Sequence, residues 1–224
     1  MAKMRSKSDR VCLAGTNMKL RSVITALSLG FAVALTGCMS GDGALKMFSS
    51  NYGAKRDAGY HLPTIPIYKV PRKYHRQIVR YESGEKPGTI IVDTGEKHLY
   101  FVMPEGKAVR YGIGVGREGF EWKGTSRIAM KREWPVWTPP EAMIKRQPEL
   151  AKYRGGMDPG INNALGARAL YLYNKGGDTG YRLHGTPEWA SIGQAMSSGC
   201  IRLINQDIID LYERAEVGAK VIVL

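Results

Sequence analysis

A histidine and a cysteine near the C-terminus carry the clearest chemical signal of this sequence. His184 precedes Cys200, and the cysteine stands in the run Ser197-Ser198-Gly199-Cys200-Ile201-Arg202. A thiol attacks acyl carbons as its thiolate, so it needs a nearby base, a positive charge and backbone N–H groups that stabilise an oxyanion. Because this stretch can supply all three, it predicts a cysteine acyl transferase.

The alternative for Cys200 is an inert buried thiol, which is the commoner fate of single cysteines. Ser197, Ser198 and Gly199 are poor material for a hydrophobic shell, so the pattern favours a reactive cysteine. A lone histidine in a strand is likewise more often structural. Only the neighbouring sequence favours a catalytic role for His184.

The N-terminus resembles a bacterial lipoprotein leader. An uncharged run contains the apolar stretch Val23–Leu35, which has the length of a signal peptide and is too short for a confident membrane span. The run ends in Leu35-Thr36-Gly37-Cys38, which is similar to a lipobox, the motif whose cysteine is lipidated and becomes the new N-terminus. We expect removal of residues 1–37 and a lipid on Cys38. A plain signal peptide with a chance cysteine, or a short anchor helix, is the alternative.

The predicted anchor places the mature chain in the cell envelope, on the periplasmic side. Each buried methylene contributes about 0.8 kcal/mol, so the several acyl chains of a lipoprotein hold it stably on the membrane. Met39 follows Cys38 where aspartate usually signals retention at the inner membrane, which favours the outer membrane. Translation starts at Met1 or at Met18, and Met18 makes the better signal-peptide start.

The net charge of the chain is +13, and the chain remains basic after loss of the leader. A basic surface suits anionic partners, which outside the cytoplasm are peptidoglycan stem peptides and membrane headgroups. Nucleic acid is a poor candidate, because the basic residues form no block and the leader directs export.

The sequence predicts no cofactor and no metal. The spaced glycines of residues 114–119 match a dinucleotide-binding pattern, but no convincing helix start follows them, and we interpret them as a β-turn. The histidines also lack the spacing of metal ligands. They are His61, His75, His98 and His184.

Two regions follow the leader. Residues 38–87 are rich in Gly, Ser, Lys, Arg, Tyr and Pro without sustained periodicity, which predicts a tether and extended linker. Residues 88–224 are predicted to form one mainly β domain with one packed α-helix near the C-terminus, Gln206–Glu216, capped by Asn205. Short β-branched and apolar runs predict the strands, at 89–93, 99–102, 107–115, 126–131, 169–173, 181–184 and 220–224. The irregular segment Trp134–Glu149 is either an active-site flap or a surface loop.

Three stretches of the second region form a specific combination. They are Tyr181-Arg182-Leu183-His184-Gly185-Thr186, Ser191-Ile192-Gly193 and Ser198-Gly199-Cys200-Ile201-Arg202-Leu203. This combination resembles the L,D-transpeptidase family with the YkuD-type catalytic domain, and the similarity covers about residues 88–224. Ser198 replaces a histidine and Ala164 a proline that many members carry, but neither change removes a catalytic atom.

The resemblance implies a β-sandwich that acts on peptidoglycan. Cys200 would attack the amide between diaminopimelate and D-alanine in a tetrapeptide stem, with His184 as the base. The carbonyl of Gly185 would orient the imidazole. A histidine partner also predicts a thiol pKa below that of free cysteine.

The resemblance further implies how substrate is bound and where the acyl group goes. The N–H groups of Ser198, Gly199 and Cys200 would bind the oxyanion, and Arg202 would hold the thiolate or a stem carboxylate. After D-alanine leaves, the thioester would be resolved by a second diaminopimelate or by a lysine of an outer-membrane lipoprotein. Water as acceptor would make the protein an L,D-carboxypeptidase, and a non-catalytic peptidoglycan-binding lipoprotein is the further alternative. Carbapenems acylate the cysteine of this family.

Overall fold

The computed structural model describes residues 51–117, 122–197 and 199–224. The predicted signal peptide, residues 1–37, and the lipidation site Cys38 lie outside the described residues. The strands are β1 (Lys55–Asp57), β2 (Tyr60–Leu62), β3 (Gln77–Arg80), β4 (Ile90–Asp93), β5 (His98–Met103), β6 (Lys107–Gly112), β7 (Val115–Gly116), β8 (Gly124–Glu133), β9 (Arg168–Asn174), β10 (Gly177–Thr186), β11 (Ala195–Ser197), β12 (Ile201–Ile204) and β13 (Lys220–Val223). The α-helices are α1 (Glu141–Arg146) and α2 (Asn205–Arg214).

One nine-stranded sheet, in the order β12-β10-β9-β8-β13-β4-β5-β6-β3, forms the body of the domain. The sheet folds over on itself, so that its two ends meet. Gly114, just beyond β6, exchanges two backbone hydrogen bonds with Arg202 of β12, at 2.9 and 2.8 Å. The two halves therefore enclose one apolar core, to which both contribute buried side chains. The predicted mainly β fold is confirmed, and the folded sheet produces the sandwich-like arrangement.

Helix α2 packs against β9, β10 and β12. Its apolar residues Ile208, Ile209 and Leu211 are buried, as the helical spacing predicts. The expected cap is wrong: Asn205 is the first helical residue and makes no side-chain cap hydrogen bond. Its Oδ1 instead accepts a hydrogen bond from the backbone N–H of Ala167 at 2.9 Å, so this side chain ties the helix to the start of β9.

The segment before the main sheet differs from the prediction. From residue 52 to residue 80 the chain packs on the domain, and β3 pairs with β6 in the sheet, so this part of the predicted tether is not a free linker. Its buried side chains are spaced irregularly along the chain; most of them pack in one cluster with Ile192 and Ile204 of the body, and Leu62 packs in a second cluster. Because of this irregular spacing, no periodic pattern in the sequence predicted that these residues are buried. They include Tyr52, Leu62, Ile65, Val70 and Tyr74.

The flap, defined here as residues 134–167, leaves the sheet after β8 and returns at β9. It contains α1 and a 3-10 helix at Pro148–Tyr153. Its two ends are joined by a hydrogen bond of 2.8 Å from the N–H of Trp134 to the carbonyl of Ala167. The flap is thus a long loop between the neighbouring strands β8 and β9, with its two ends held together. Among the described residues, no helix has the length and apolar character that a membrane span requires.

Candidate active site

The register of β10 and β12 brings the predicted site residues together. The two strands are parallel, with His184 opposite Arg202 and Leu183 opposite Ile201. Side chains alternate along a strand, so Leu183 and Ile201 enter the core while His184 and Arg202 project from the other face. Cys200, directly before β12, shares the parity of Arg202. The sheet therefore presents base, thiol and guanidinium on one face.

These side chains line a cleft of about 390 Å³. The sheet and the loop before β12 supply His184, Cys200 and Arg202, together with Ser197. The flap supplies the facing wall, so the flap interpretation of the irregular segment fits this cleft better than a surface loop does. The flap residues are Trp137, Met143, Gln147, Leu150, Ala164 and Leu165.

His184 is buried, and its orientation is set by the backbone. Nδ1 lies 2.6 Å from the carbonyl oxygen of Gly185. A carbonyl only accepts, so Nδ1 carries the proton and Nε2 keeps a lone pair. Burial lowers the pKa of His184 to about 4; the hydrogen bond to Gly185 opposes this shift, and the charges of Arg202 and Arg182 add to it. At neutral pH the imidazole is therefore a neutral base.

Cys200 is a partly exposed free cysteine. Desolvation by the surrounding protein raises the pKa of its thiol, although a hydrogen bond with the backbone of Arg182 and the charges of Arg182 and Arg202 act to lower it. The expected lowering of this pKa is therefore wrong for the resting structure, because burial outweighs the nearby charges. Thiol and imidazole are therefore both neutral at rest, and any attack by the sulfur requires transfer of the thiol proton.

A tight turn precedes Cys200. Gly199 has φ +117°, a conformation that favours glycine. Its N–H donates to Ser197 Oγ at 3.2 Å, and the same hydroxyl donates to the carbonyl of Cys200 at 2.6 Å. The N–H of Gly199, expected to bind the oxyanion, is thus already engaged by Ser197. Ser198 lies outside the described residues, so its predicted role stays a prediction.

Arg202 has donors to spare. Its Nη1 donates to Oε2 of Glu188 at 2.9 Å, and the arginine side chain is 12% exposed against 69% for the glutamate. Its Nε and Nη2 are buried without a hydrogen-bond partner in the described structure. Buried unpaired donors are costly, so this edge of the guanidinium suits a carboxylate ligand.

Sequence reasoning missed Glu188 and the part of the flap beyond Glu149 that lines the cleft. Glu188 follows β10 without any spacing that distinguishes it from a surface glutamate, and Leu150 and Leu165 read as ordinary apolar residues. In the part of the chain that the structure describes, no group of three or more His, Cys, Asp or Glu side chains could hold a metal ion.

Known proteins are similar to the part of the chain that forms the cleft. Residues 87–223 match the family model YkuD, the L,D-transpeptidase catalytic domain. The probable L,D-transpeptidase YbiS of Escherichia coli K12 is 32% identical over 145 residues, which cover 59% of this chain and 43% of YbiS. The chain therefore spans less than half the length of that relative.

Solved structures are also similar to this chain. A crystal structure described as a probable carnitine operon oxidoreductase from Brucella melitensis is 44% identical, covers 71% of this chain and 99% of its own, and has a TM-score of 0.48. An L,D-transpeptidase from Mycobacterium smegmatis is 18% identical, with 61% and 58% of the chains covered and a TM-score of 0.45.

Proposed function

Because the family model matches more than half of its residues, the chain belongs to the L,D-transpeptidase family, and we propose that it is a peptidoglycan L,D-transpeptidase with Cys200 as nucleophile. Its substrate is the tetrapeptide stem, and the bond attacked is the amide between diaminopimelate and D-alanine. The observation that supports this most is the shared cleft of Cys200 and His184, with the Nδ1 proton of His184 held by Gly185.

The first half-reaction forms a thioester. His184 Nε2 takes the thiol proton as the sulfur of Cys200 attacks the amide carbon, which gives a tetrahedral oxyanion. The carbonyl of Gly185 stabilises the imidazolium that forms. The imidazolium then gives its proton to the departing nitrogen of D-alanine, and the carbon–nitrogen bond breaks. His184 thus returns to the neutral imidazole, and the acyl group stays on the sulfur of Cys200 as a thioester.

The second half-reaction consumes the thioester. An unprotonated amine attacks the acyl carbon and gives a proton to His184. The carbon–sulfur bond then breaks, and the imidazolium returns that proton to the departing sulfur, which regenerates the thiol of Cys200 and the neutral imidazole. The acceptor is a second diaminopimelate, which gives a cross-link, or a lysine of an outer-membrane lipoprotein. Water in the same place gives an L,D-carboxypeptidase.

Substrate carboxylates are the fitting ligands for Arg202. Its unpaired Nε and Nη2 form a planar edge beside the thiol, which matches the two oxygens of a carboxylate. Glu188 holds the opposite end of the guanidinium. Arg202 therefore orients the stem, and the oxyanion is left to the N–H groups of Ser198 and Cys200, joined by that of Gly199 once it is released from Ser197.

The setting is proposed from the sequence. The protein is lipid-anchored through Cys38 on the periplasmic side of the cell envelope, with the outer membrane favoured, and its partners are peptidoglycan stem peptides. A basic mature chain is consistent with such anionic partners.

The test is incubation of the purified chain with tetrapeptide muropeptides, followed by mass spectrometry of the products. We expect release of D-alanine, with a diaminopimelate–diaminopimelate dimer or a tripeptide as the product; a parallel incubation that also contains a lysine-bearing peptide tests for the lysine adduct. Cys200→Ser is the control and should release no D-alanine while it folds normally. Absence of D-alanine release by the wild-type protein, with normal binding to peptidoglycan, would support the non-catalytic lipoprotein instead.

A further inference from the structure

A hairpin outside the matched catalytic domain contacts the base of the flap. The hairpin, residues 55–62, consists of β1 and β2, which pair antiparallel. Its Asp57 accepts hydrogen bonds from two sides: from Nε1 of Trp134 at 2.8 Å, and from the guanidinium of Arg168 at 2.7 and 3.0 Å. One carboxylate therefore binds two residues that are distant in sequence.

These two residues bracket the flap. Trp134 is its first residue, and Arg168 comes directly after its last. The N–H of Trp134 also donates to the carbonyl of Ala167, so backbone and side chains close the same base. Asp57 adds a side-chain link that joins the departing and returning strands.

The conformation of Trp134 needs such support. Its φ is +41°, in the left-handed region that a bulky residue rarely adopts. The indole is fixed by the hydrogen bond to Asp57 and by stacking on Tyr60, with ring centroids 4.1 Å apart. Leu62 packs beside it in a small cluster with Ala167. The hairpin thus holds the flap's first residue in a conformation it would otherwise leave.

The ion pair is well enclosed. The side chains of Arg168 and Asp57 are 6% and 11% exposed. Burial alone would raise the pKa of Asp57, but the hydrogen bonds from Arg168 and Trp134 more than offset it and hold the pKa below its ordinary value. Loss of the carboxylate would leave the buried charge of Arg168 with the carbonyl of Ala167, at 2.8 Å, and with the more exposed carboxylate of Glu133, at 3.6 Å.

We propose that Asp57 is a positioning residue for the flap, acting through Trp134 and Arg168 to hold the wall that faces Cys200. Its effect on catalysis rests on the proposed function, whereas its effect on the flap does not. The flap lines the cleft through its own side chains, so freeing its base changes the shape of the substrate site while the strands that carry the thiol and imidazole stay in place.

The experiment compares wild-type protein with Asp57→Asn, which removes the charge, and with Trp134→Phe, which removes the indole N–H together with part of the ring that stacks on Tyr60. Hydrogen exchange of backbone amides should become at least about tenfold faster across residues 135–166 in both variants, while β9 and β10 keep wild-type protection. The KM for the tetrapeptide should rise at least fivefold with a smaller change in kcat, and Asp57→Glu should restore part of the loss. Glu85→Gln, which removes an exposed partner of Lys220, is the matched control and should change nothing.

Two results would overturn the proposal. One is wild-type exchange in the flap of both variants. The other is an equal loss of protection in the flap and in β9 and β10, because that would show a general loss of stability rather than positioning. If the wild-type enzyme releases no D-alanine, the proposed function fails, but the exchange measurement still decides the role of Asp57.

Discussion

The strands that carry the proposed catalytic residues and the N-terminal segment, residues 51–80, arrange their polar and apolar side chains in different ways. In β10 and β12 one face is apolar core and the other carries His184 and Arg202, so chemistry and stability are separated by the alternation of side chains. In the N-terminal segment, scattered residues each reach a distant element: Tyr52 contacts Asp207, and Asp57 contacts Arg168. The comparison teaches that the positions of the reactive groups follow from the local strand pattern, whereas the residues that support them act through contacts between distant parts of the sequence.

The largest expected effect is a loss of activity on substitution of His184, which tests the role of the proposed catalytic strands. His184→Ala removes the base, so tetrapeptide acylation should fall by about 10²–10⁴-fold. The apolar face of β10 is untouched, and the variant should remain folded. D-Alanine release and thermal unfolding measure the two quantities. A variant that keeps near-wild-type activity would show that His184 is a structural histidine.

Leu62→Ala tests the structural side. Leu62 is 1% exposed, and truncation of such a side chain costs about 2–5 kcal/mol of unfolding free energy. Denaturant unfolding should show this loss, with Tyr68→Ala, at an 82% exposed position, as the near-neutral control. Equal stability of the two variants would mean that the segment is a loose tether after all.

The pH dependence of acylation tests whether His184 is neutral in the resting protein. Only unprotonated His184 acts as a base, and its pKa is lowered to about 4 by burial. Acylation should therefore be lost as the pH falls through about 4, and should change little between about pH 5.5 and 7. Rates of acylation across this range provide the test. An acidic limb near the ordinary histidine value would contradict a buried, neutral imidazole.

The last expected effect concerns a second buried carboxylate and appears only as a change of stability with pH. Asp207 is fully buried, 3.1 Å from the hydroxyl of Tyr52 and 3.6 Å from Arg76. Burial raises its pKa to about 7, although Arg76 and Tyr52 act to lower it. Because the folded pKa is above the unfolded value, the folded state binds the extra proton, and this contribution to stability is lost as the pH rises from about 4 to about 7.

Asp207→Asn should remove that slope. The amide keeps an acceptor for Tyr52 but does not titrate, so unfolding free energies of variant and wild type should diverge in favour of the variant as the pH rises over this interval. Denaturant unfolding at several pH values measures the difference. A constant difference would show that Asp207 is ionised throughout, as Asp57 is expected to be near neutral pH.

Much of the site was predictable from sequence, because strand parity is a local property. The predicted strands around His184 correspond to β9 and β10, and the motif around Cys200 fixed which residues share a cleft. Two properties of individual site residues were not predicted. The pKa of Cys200 depends on desolvation by the surrounding protein, and the N–H of Gly199 is engaged by a hydroxyl whose direction the sequence does not encode.

The rest required the fold. Nothing near Asp57 in the sequence shows that it contacts Trp134 and Arg168, and nothing near Asn205 shows that it binds the N–H of Ala167 instead of capping its helix. Such contacts depend on how elements approach one another, and residue spacing carries no record of that.

The central claim is that His184 activates Cys200 for attack on an acyl carbon. The most direct measurement is mass spectrometry of the intact protein and of its peptides after brief exposure to a carbapenem. We predict one adduct, located on Cys200, that forms at least about a hundredfold more slowly in His184→Ala. An adduct on another residue, or an adduct on Cys200 at the same rate in both proteins, would contradict the account.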